Sequence, residues 1–126
     1  MIYGIGTDLV DLERIKKMKS LSAFANKILG DQELKKFAEM TEGCNQSYLG
    51  KQFAAKEAFV KALGTGFKDP VFPKDIQIIR NSAGKPEVLL SGGAKSYVES
   101  LGITKSHVSL ADESNHLRAF AVLENE

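Results

Sequence analysis

The sequence is short of several things at once. It has one cysteine, Cys44, so no internal disulfide can form, and with only His107 and His116 beside it there is no Cys/His cluster of zinc-site spacing. A lone thiol fits a reducing cytoplasm. No apolar run approaches the roughly 20 residues that cross a bilayer. The opening Met1-Ile2-Tyr3-Gly4-Ile5-Gly6 carries no basic flank, so neither a membrane span nor a signal peptide is expected. The three prolines (Pro70, Pro73, Pro86) are scattered, and there are no repeats, low-complexity tracts or Pro-rich linkers. Net charge is nearly absent too: 17 Lys+Arg against 16 Asp+Glu leave +1, which argues against a dedicated nucleic-acid binder. What is present is ordinary for a folded chain of 126 residues, 43% hydrophobic and 26% charged. That length and balance predict one domain spanning residues 1–126.

The charge is balanced overall but unevenly placed. Residues 14–27 hold Arg14, Lys16, Lys17, Lys19 and Lys27 with no acid, whereas the last fifteen residues hold Asp112, Glu113, Glu124 and Glu126 against Arg118 alone. A local basic face can steer an acidic partner even on a neutral protein, and a solvated helix surface gives the same pattern.

Periodicity predicts the elements. Residues 2–7 read as a strand ending at Asp8, and residues 11–20 as a helix with Leu12, Ile15 and Met18 on one face. A second helix covers about 22–29 with Phe24, Ile28 and Leu29 inward, and Asp31 is a plausible N-cap for a third that carries Leu34, Phe37 and Ala38. The longest helix runs from Gln46 to Leu63 and stops at Gly64, where a left-handed C-cap belongs. Along it Leu49, Phe53, Lys56 or Glu57, Val60 and Leu63 follow the helical period. A hairpin (76–80 and 87–90), a helix (93–101) and two strands (107–111 and 117–123) joined by a polar turn at 112–115 complete the chain. Helices and hairpin strands are segregated, so the expected class is α+β, a small single domain whose mainly antiparallel sheet packs on the long helix.

Three places have residues suited to chemistry. Asp8 ends a strand whose Gly4 and Gly6 permit close approach; it suits a metal ligand, and equally a helix N-cap. Glu57 and Lys61 lie i, i+4 among Ala54, Ala55, Ala58 and Phe59. An exposed pair of that kind is worth about 0.3–0.5 kcal/mol. A partly buried Glu57 would instead call for a cation, with Lys61 one turn on to meet a phosphate oxygen. Gly64-Thr65-Gly66 follows as a turn expected to expose backbone N–H groups, without the Gly-Lys-Ser/Thr of a Walker loop. Together these suggest a metal-bridged phosphate site.

In order along the chain, Gly6-Thr7-Asp8-Leu9-Val10 with Arg14, then Phe53-Ala54-Ala55-Lys56-Glu57-Ala58-Phe59-Val60-Lys61-Ala62-Leu63-Gly64-Thr65-Gly66, then Gly84-Lys85-Pro86, and finally His107-Val108-Ser109-Leu110-Ala111-Asp112-Glu113 resemble the signatures of the holo-acyl-carrier-protein synthase family, a group of 4′-phosphopantetheinyl transferases. The resemblance spans essentially the whole chain. It implies transfer of 4′-phosphopantetheine from coenzyme A to a serine of apo-acyl-carrier protein, releasing adenosine 3′,5′-bisphosphate and serving fatty acid biosynthesis. It implies Mg²⁺ held by Asp8 and Glu57, charge stabilisation by Lys61, and coenzyme A contacts at Lys61, Gly64, Thr65, Gly66, Lys85 and Pro86. It implies a homotrimer with active sites between subunits, and docking of an acidic carrier protein on Arg14, Met18, Phe24, Lys27 and Ile28.

The chain departs from the family pattern at two positions. Where many members carry a histidine, this chain has Asp112; His107, five residues earlier on the other strand face, cannot simply inherit that role. The expected proton acceptor is Asp112 or a metal-bound water. Gln52 stands where an arginine commonly precedes the phenylalanine of the helix signature. Two competing functions are a different Mg²⁺-dependent phosphotransferase acting on a nucleotide and a small adaptor using the basic face alone.

Overall fold

A computed structural model describes all of residues 1–126. Strand β1 (Ile2–Asp11) leads into a short helix α1 (Leu12–Lys16), followed by α2 (Leu21–Ile28), α3 (Asp31–Ala38) and the 20-residue α4 (Cys44–Leu63). The hairpin β2 (Ile76–Arg80) and β3 (Pro86–Leu90), helix α5 (Gly92–Ser100), and strands β4 (Ile103–Glu113) and β5 (His116–Asn125) complete the order. All pairings are antiparallel: a three-stranded sheet in the order β1-β5-β4, and the separate pair β2-β3. The expected α+β class with an antiparallel sheet on a long helix is what forms.

Local chemistry explains where boundaries moved. Strand β1 runs three residues past Asp8, because Val10 continues the inward alternation and is buried. The cap belongs to Asp11, whose Oδ1 accepts from the N–H of Glu13 at 3.0 Å. Asp8 is therefore a mid-strand residue and not a helix cap. The helix expected over 11–20 is shorter and ends at Lys16, and Ser20, on extended backbone, caps the second expected helix, α2, through the N–H of Ala23. Gly30, not Asp31, is the N-cap of α3, and Glu33 reaches back to accept from the Gly30 N–H at 2.9 Å. Gly64 has φ 87° and ends α4 as expected. Strands β4 and β5 extend to Glu113 and from His116, leaving a tighter turn, so Asp112 lies in a strand.

Helix α4 is the centre of the molecule, with Ala54, Ala55, Ala58, Phe59 and Val60 fully enclosed. It lies against β1 almost backbone to backbone. A Cβ at Gly4 would strike the carbonyl of Ala62, and one at Gly6 the carbonyl of Ala58. The two glycines thus set the distance between strand and helix.

The other face of the three-stranded sheet is uncovered. Ile5 pairs with Val122, Thr7 with Phe120 and Leu9 with Arg118, opposite in facing to the buried Ala119 and Ala121. Ile5 is 59% exposed, Leu9 52% and Phe120 43%. Large apolar side chains in one contiguous row are unusual on a monomer's surface.

Candidate active site

Asp8 and the C-terminal half of α4 meet because β1 and α4 are in backbone contact. Lys61 Nζ lies 3.0 Å from Asp8 Oδ1 and 3.1 Å from the carbonyl oxygen of Thr7. Glu57 stands one turn earlier on the same helix, half-buried. Burial pushes its carboxyl above the usual range, the Asp8 carboxylate pushes it further, and Lys61 pulls it partly back. Two carboxylates from stretches about fifty residues apart therefore feel one another across a single lysine, and the lysine bonds to Asp8. The helical Glu57–Lys61 pair considered from spacing is not the contact that forms.

Gly64, Thr65 and Gly66 close this end of α4. Their backbone is open, since a Cβ on either glycine would meet nothing, but their N–H groups are already in use. All three turn back toward the carbonyl oxygen of Val60, at 2.9, 3.2 and 3.4 Å. The expectation of free N–H donors is thus corrected: this turn offers bare backbone for close approach, not an anion nest.

The other expected site residues lie elsewhere in the chain. Asp112 faces α4 too, but in its N-terminal half, where Lys51 Nζ holds it at 2.8 Å. That hydrogen bond and the lysine's charge keep the Asp112 carboxyl below its ordinary value. Lys51 and Lys61 are ten helical residues apart, or about 15 Å at 1.5 Å per residue. Lys85 and Pro86 line an open cleft of about 510 Å³ between β3 and β4, together with Lys105 and His107. His107 pairs with Glu124 at 2.8 Å. A hollow of about 500 Å³ beside Asp112 is lined by Leu9, His116 and Arg118. Within one chain these groups do not share a cavity with Asp8 and Glu57.

On the basic face Arg14 and Lys27 are exposed, while Met18 and Phe24 are half-buried. Phe24 stands edge-on to Phe53 with ring centroids 5.2 Å apart. Ile28 is only 3% exposed, because it packs inward with Ala25, Leu29 and Leu49. It is removed from the set of docking contacts: its helix uses it as core.

Sequence reasoning missed a second polar centre on α4. Lys56 and Glu33 are both fully buried, with Lys56 Nζ 2.7 Å from Glu33 Oε1. Lys56 also donates to the carbonyl oxygens of Pro73 and Ile76. Glu33 accepts from the N–H of Gly30, from Lys56, from Gln52 Nε2 and from the N–H of Ile78. Gln52 also donates to the Ile78 carbonyl at 2.8 Å, which accounts for a buried glutamine at a position where an arginine would have to find other partners. The available signal was a lysine on the apolar period of α4; its partner, 23 residues earlier, gave none.

Residues 4–120 match the model of the 4′-phosphopantetheinyl transferase superfamily, and the chain belongs to that family. Within it the chain is 44% identical to the holo-[acyl-carrier-protein] synthase of Neisseria meningitidis serogroup A, over 98% of this chain and 99% of that one. The crystal structure of holo-[acyl-carrier-protein] synthase from Neisseria meningitidis superposes with a TM-score of 0.91 at 43% identity, covering 99% of this chain and 100% of that one. A holo-(acyl-carrier-protein) synthase from Bacillus anthracis, solved in complex with CoA (3′,5′-ADP), gives 0.85 at 32% identity over 100% and 99% of the two chains.

Proposed function

We propose that the Asp8, Glu57 and Lys61 group is the reactive centre of a magnesium-dependent holo-[acyl-carrier-protein] synthase formed by the whole chain as one domain. The chain transfers the 4′-phosphopantetheine group of coenzyme A to a serine of apo-acyl-carrier protein, giving holo-carrier protein and adenosine 3′,5′-bisphosphate. The observation that carries the site assignment is the convergence of Asp8 and Glu57 around Lys61, with the Glu57 carboxyl held above its usual range.

The residues fit a magnesium ion. Two carboxylates with one lysine between them leave the site short of positive charge, and their hard oxygen donors suit this cation. Bound there, the ion supplies Lewis-acid stabilisation of the coenzyme A diphosphate. Asp8 and Glu57 would hold it. Lys61, half exposed, swings from Asp8 to a diphosphate oxygen and steadies the negative charge that develops on the leaving group. The open turn Gly64-Thr65-Gly66 lets the nucleotide approach, and Lys85 and Pro86 border its other side. The nucleophile arrives on the carrier protein, whose acidic surface meets Arg14 and Lys27 with Met18 and Phe24 beneath.

The separation of these groups within one chain supports a homotrimer with sites between subunits. The exposed row of Ile5, Leu9 and Phe120, with half-buried Val122 beside Ile5, is the surface that such packing would cover. In that arrangement Asp112, kept ionised by Lys51, and the Lys85–Pro86 cleft of one subunit complete the centre of the next. Asp112 then takes the serine proton. Phe120→Asp is expected to yield monomers in sedimentation velocity and to abolish transfer; a fully active monomer would remove the interfacial site.

No helix is long and apolar enough to cross a membrane. Its substrates and an exposed free Cys44 suit work in the cytoplasm, supplying carrier protein for fatty acid biosynthesis. Intact-mass analysis tests the reading directly. Apo-carrier protein incubated with coenzyme A and the chain should gain one phosphopantetheine, EDTA should prevent the gain, and no gain in either condition would refute the function.

A further inference from the structure

The seam that brings Glu57 to Asp8 is smooth. Gly4 and Gly6 of β1 meet the backbone of Ala58 and Ala62, so along this line no side chain interlocks with another. Close packing of this kind resists separation, but dispersion contacts between flat surfaces have little direction. The polar pin at the seam is Lys61, bonded to Asp8 and to the Thr7 carbonyl oxygen; it belongs to the reactive group and is given up when Lys61 meets phosphate. A shift of α4 by one residue would move Glu57 about 1.5 Å along the helix and turn it by about 100°. Something else must hold the helix in register.

The buried polar centre on the opposite flank of α4 has the required geometry. Lys56 immediately precedes Glu57, so whatever fixes the azimuth of one fixes the other. Its ammonium donates in three directions: to Glu33 on α3, and to the carbonyl oxygens of Pro73 and Ile76 at the entry to β2. Gln52, one turn earlier on the same side, is held by Glu33 and by the Ile78 carbonyl. Glu33 in turn has all four of its acceptor positions filled. An enclosed ion pair is a poor way to add stability compared with apolar residues of the same volume. What it supplies that a leucine or methionine could not is direction.

We infer that Lys56 is a positioning residue for the transfer reaction: its three hydrogen bonds, backed by Glu33 and Gln52, stop α4 sliding or turning along the glycine seam and so hold Glu57 and Lys61 at Asp8. This rests on the proposed function, since it gives the register of α4 a chemical consequence. It also makes residues 30–33, which follow closely on α2 and its Lys27, part of the support of the reactive helix.

The test uses the full chain with Lys56→Met, which keeps the length and apolar stem, compared with wild type at a temperature where circular dichroism shows both folded. Lys56→Met should lower kcat roughly 10- to 100-fold, as expected for a reacting group displaced by about 1 Å, with the KM for carrier protein within about twofold of wild type. Without any turnover, Mn²⁺ binding in the presence of coenzyme A, followed by electron paramagnetic resonance of the free ion, should weaken several-fold. Glu33→Gln keeps one acceptor oxygen and should retain more of both properties than Lys56→Met. Should Lys56→Met fail to fold, Gln52→Met carries the test, since it removes one pin and leaves the ion pair in place; a smaller loss in kcat and in Mn²⁺ binding is expected. Folded Lys56→Met, or in its place folded Gln52→Met, with wild-type kcat and Mn²⁺ binding would overturn the inference while leaving the proposed function standing. A wild-type chain that adds no mass to apo-carrier protein would overturn the function itself.

Discussion

Lys56 and Glu57 are consecutive on one helix and have opposite fates. Lys56 is sealed from water with three oxygen partners, one of them a carboxylate. Glu57 is half-buried, faces a second carboxylate, and has its carboxyl pushed above the ordinary range by burial and by Asp8. One flank of α4 is thus a closed polar network and the other an open one with charge left over. A closed network serves the fold, because every group in it is satisfied before any ligand arrives. An open network is poised for a ligand, because binding a cation removes a repulsion the protein otherwise carries.

The contrast can be broken most severely at the open side. Asp8→Ala and Glu57→Ala should each abolish the mass gain of carrier protein, a loss of at least about 1,000-fold in rate, while the chain still folds. Stability should move the other way. Because the folded-state carboxyl of Glu57 is raised, the folded chain holds that proton more tightly than the unfolded chain, and stability falls as pH rises from the ordinary carboxylate value through the raised one. Glu57→Gln removes that penalty, so in the absence of metal it should melt higher than wild type at neutral pH and lose the advantage below the ordinary carboxylate value. Calorimetry across pH checks this; an equal or lower melting temperature at pH 7 would mean the open site stores no repulsion.

At the closed side the larger effect falls on stability. Glu33→Ala leaves the Lys56 ammonium buried without its counter-charge, together with the N–H groups of Gly30 and Ile78, and should cost about 3–5 kcal/mol in chemical denaturation. A loss below about 1 kcal/mol would put the pair in the class of surface ion pairs instead. The smallest effect is expected outside both networks, at Arg14. This side chain is exposed and unpaired, so Arg14→Ala should raise the KM for carrier protein several-fold, weaken the salt dependence of the rate and leave both kcat and melting temperature near wild type. An unchanged KM would take Arg14 out of the docking face.

The elements and the reactive residues were legible to different degrees for physical reasons. Period and caps located α4, its stop at Gly64 and the β2–β3 hairpin, because these depend on neighbours within a few residues. The same local rules misread Asp8 as a possible cap and Asp31 as another, since strand pairing with β5 carried β1 on to Asp11 and Glu33 reached back to close α3 at Gly30. The helical period places Ile28 inward and the structure agrees, whereas the docking contact that the resemblance implies for it does not fit a side chain that α2 turns toward Leu49. Gly64-Thr65-Gly66 was read correctly as a turn but wrongly as a donor nest, because Val60 claims its N–H groups.

The order of residues alone determined the class of fold, the family, and which side chains have the chemistry for metal and phosphate, because propensity, hydrophobic period and signature spacing are written along the chain. Only the folded arrangement decided that Lys61 bonds to Asp8 and not to Glu57, that Lys56 is sealed against Glu33, and that Asp112 is held by Lys51 away from the reactive group. Each of those outcomes joins residues many positions apart through burial and charge, and neither quantity exists until the chain has closed around them.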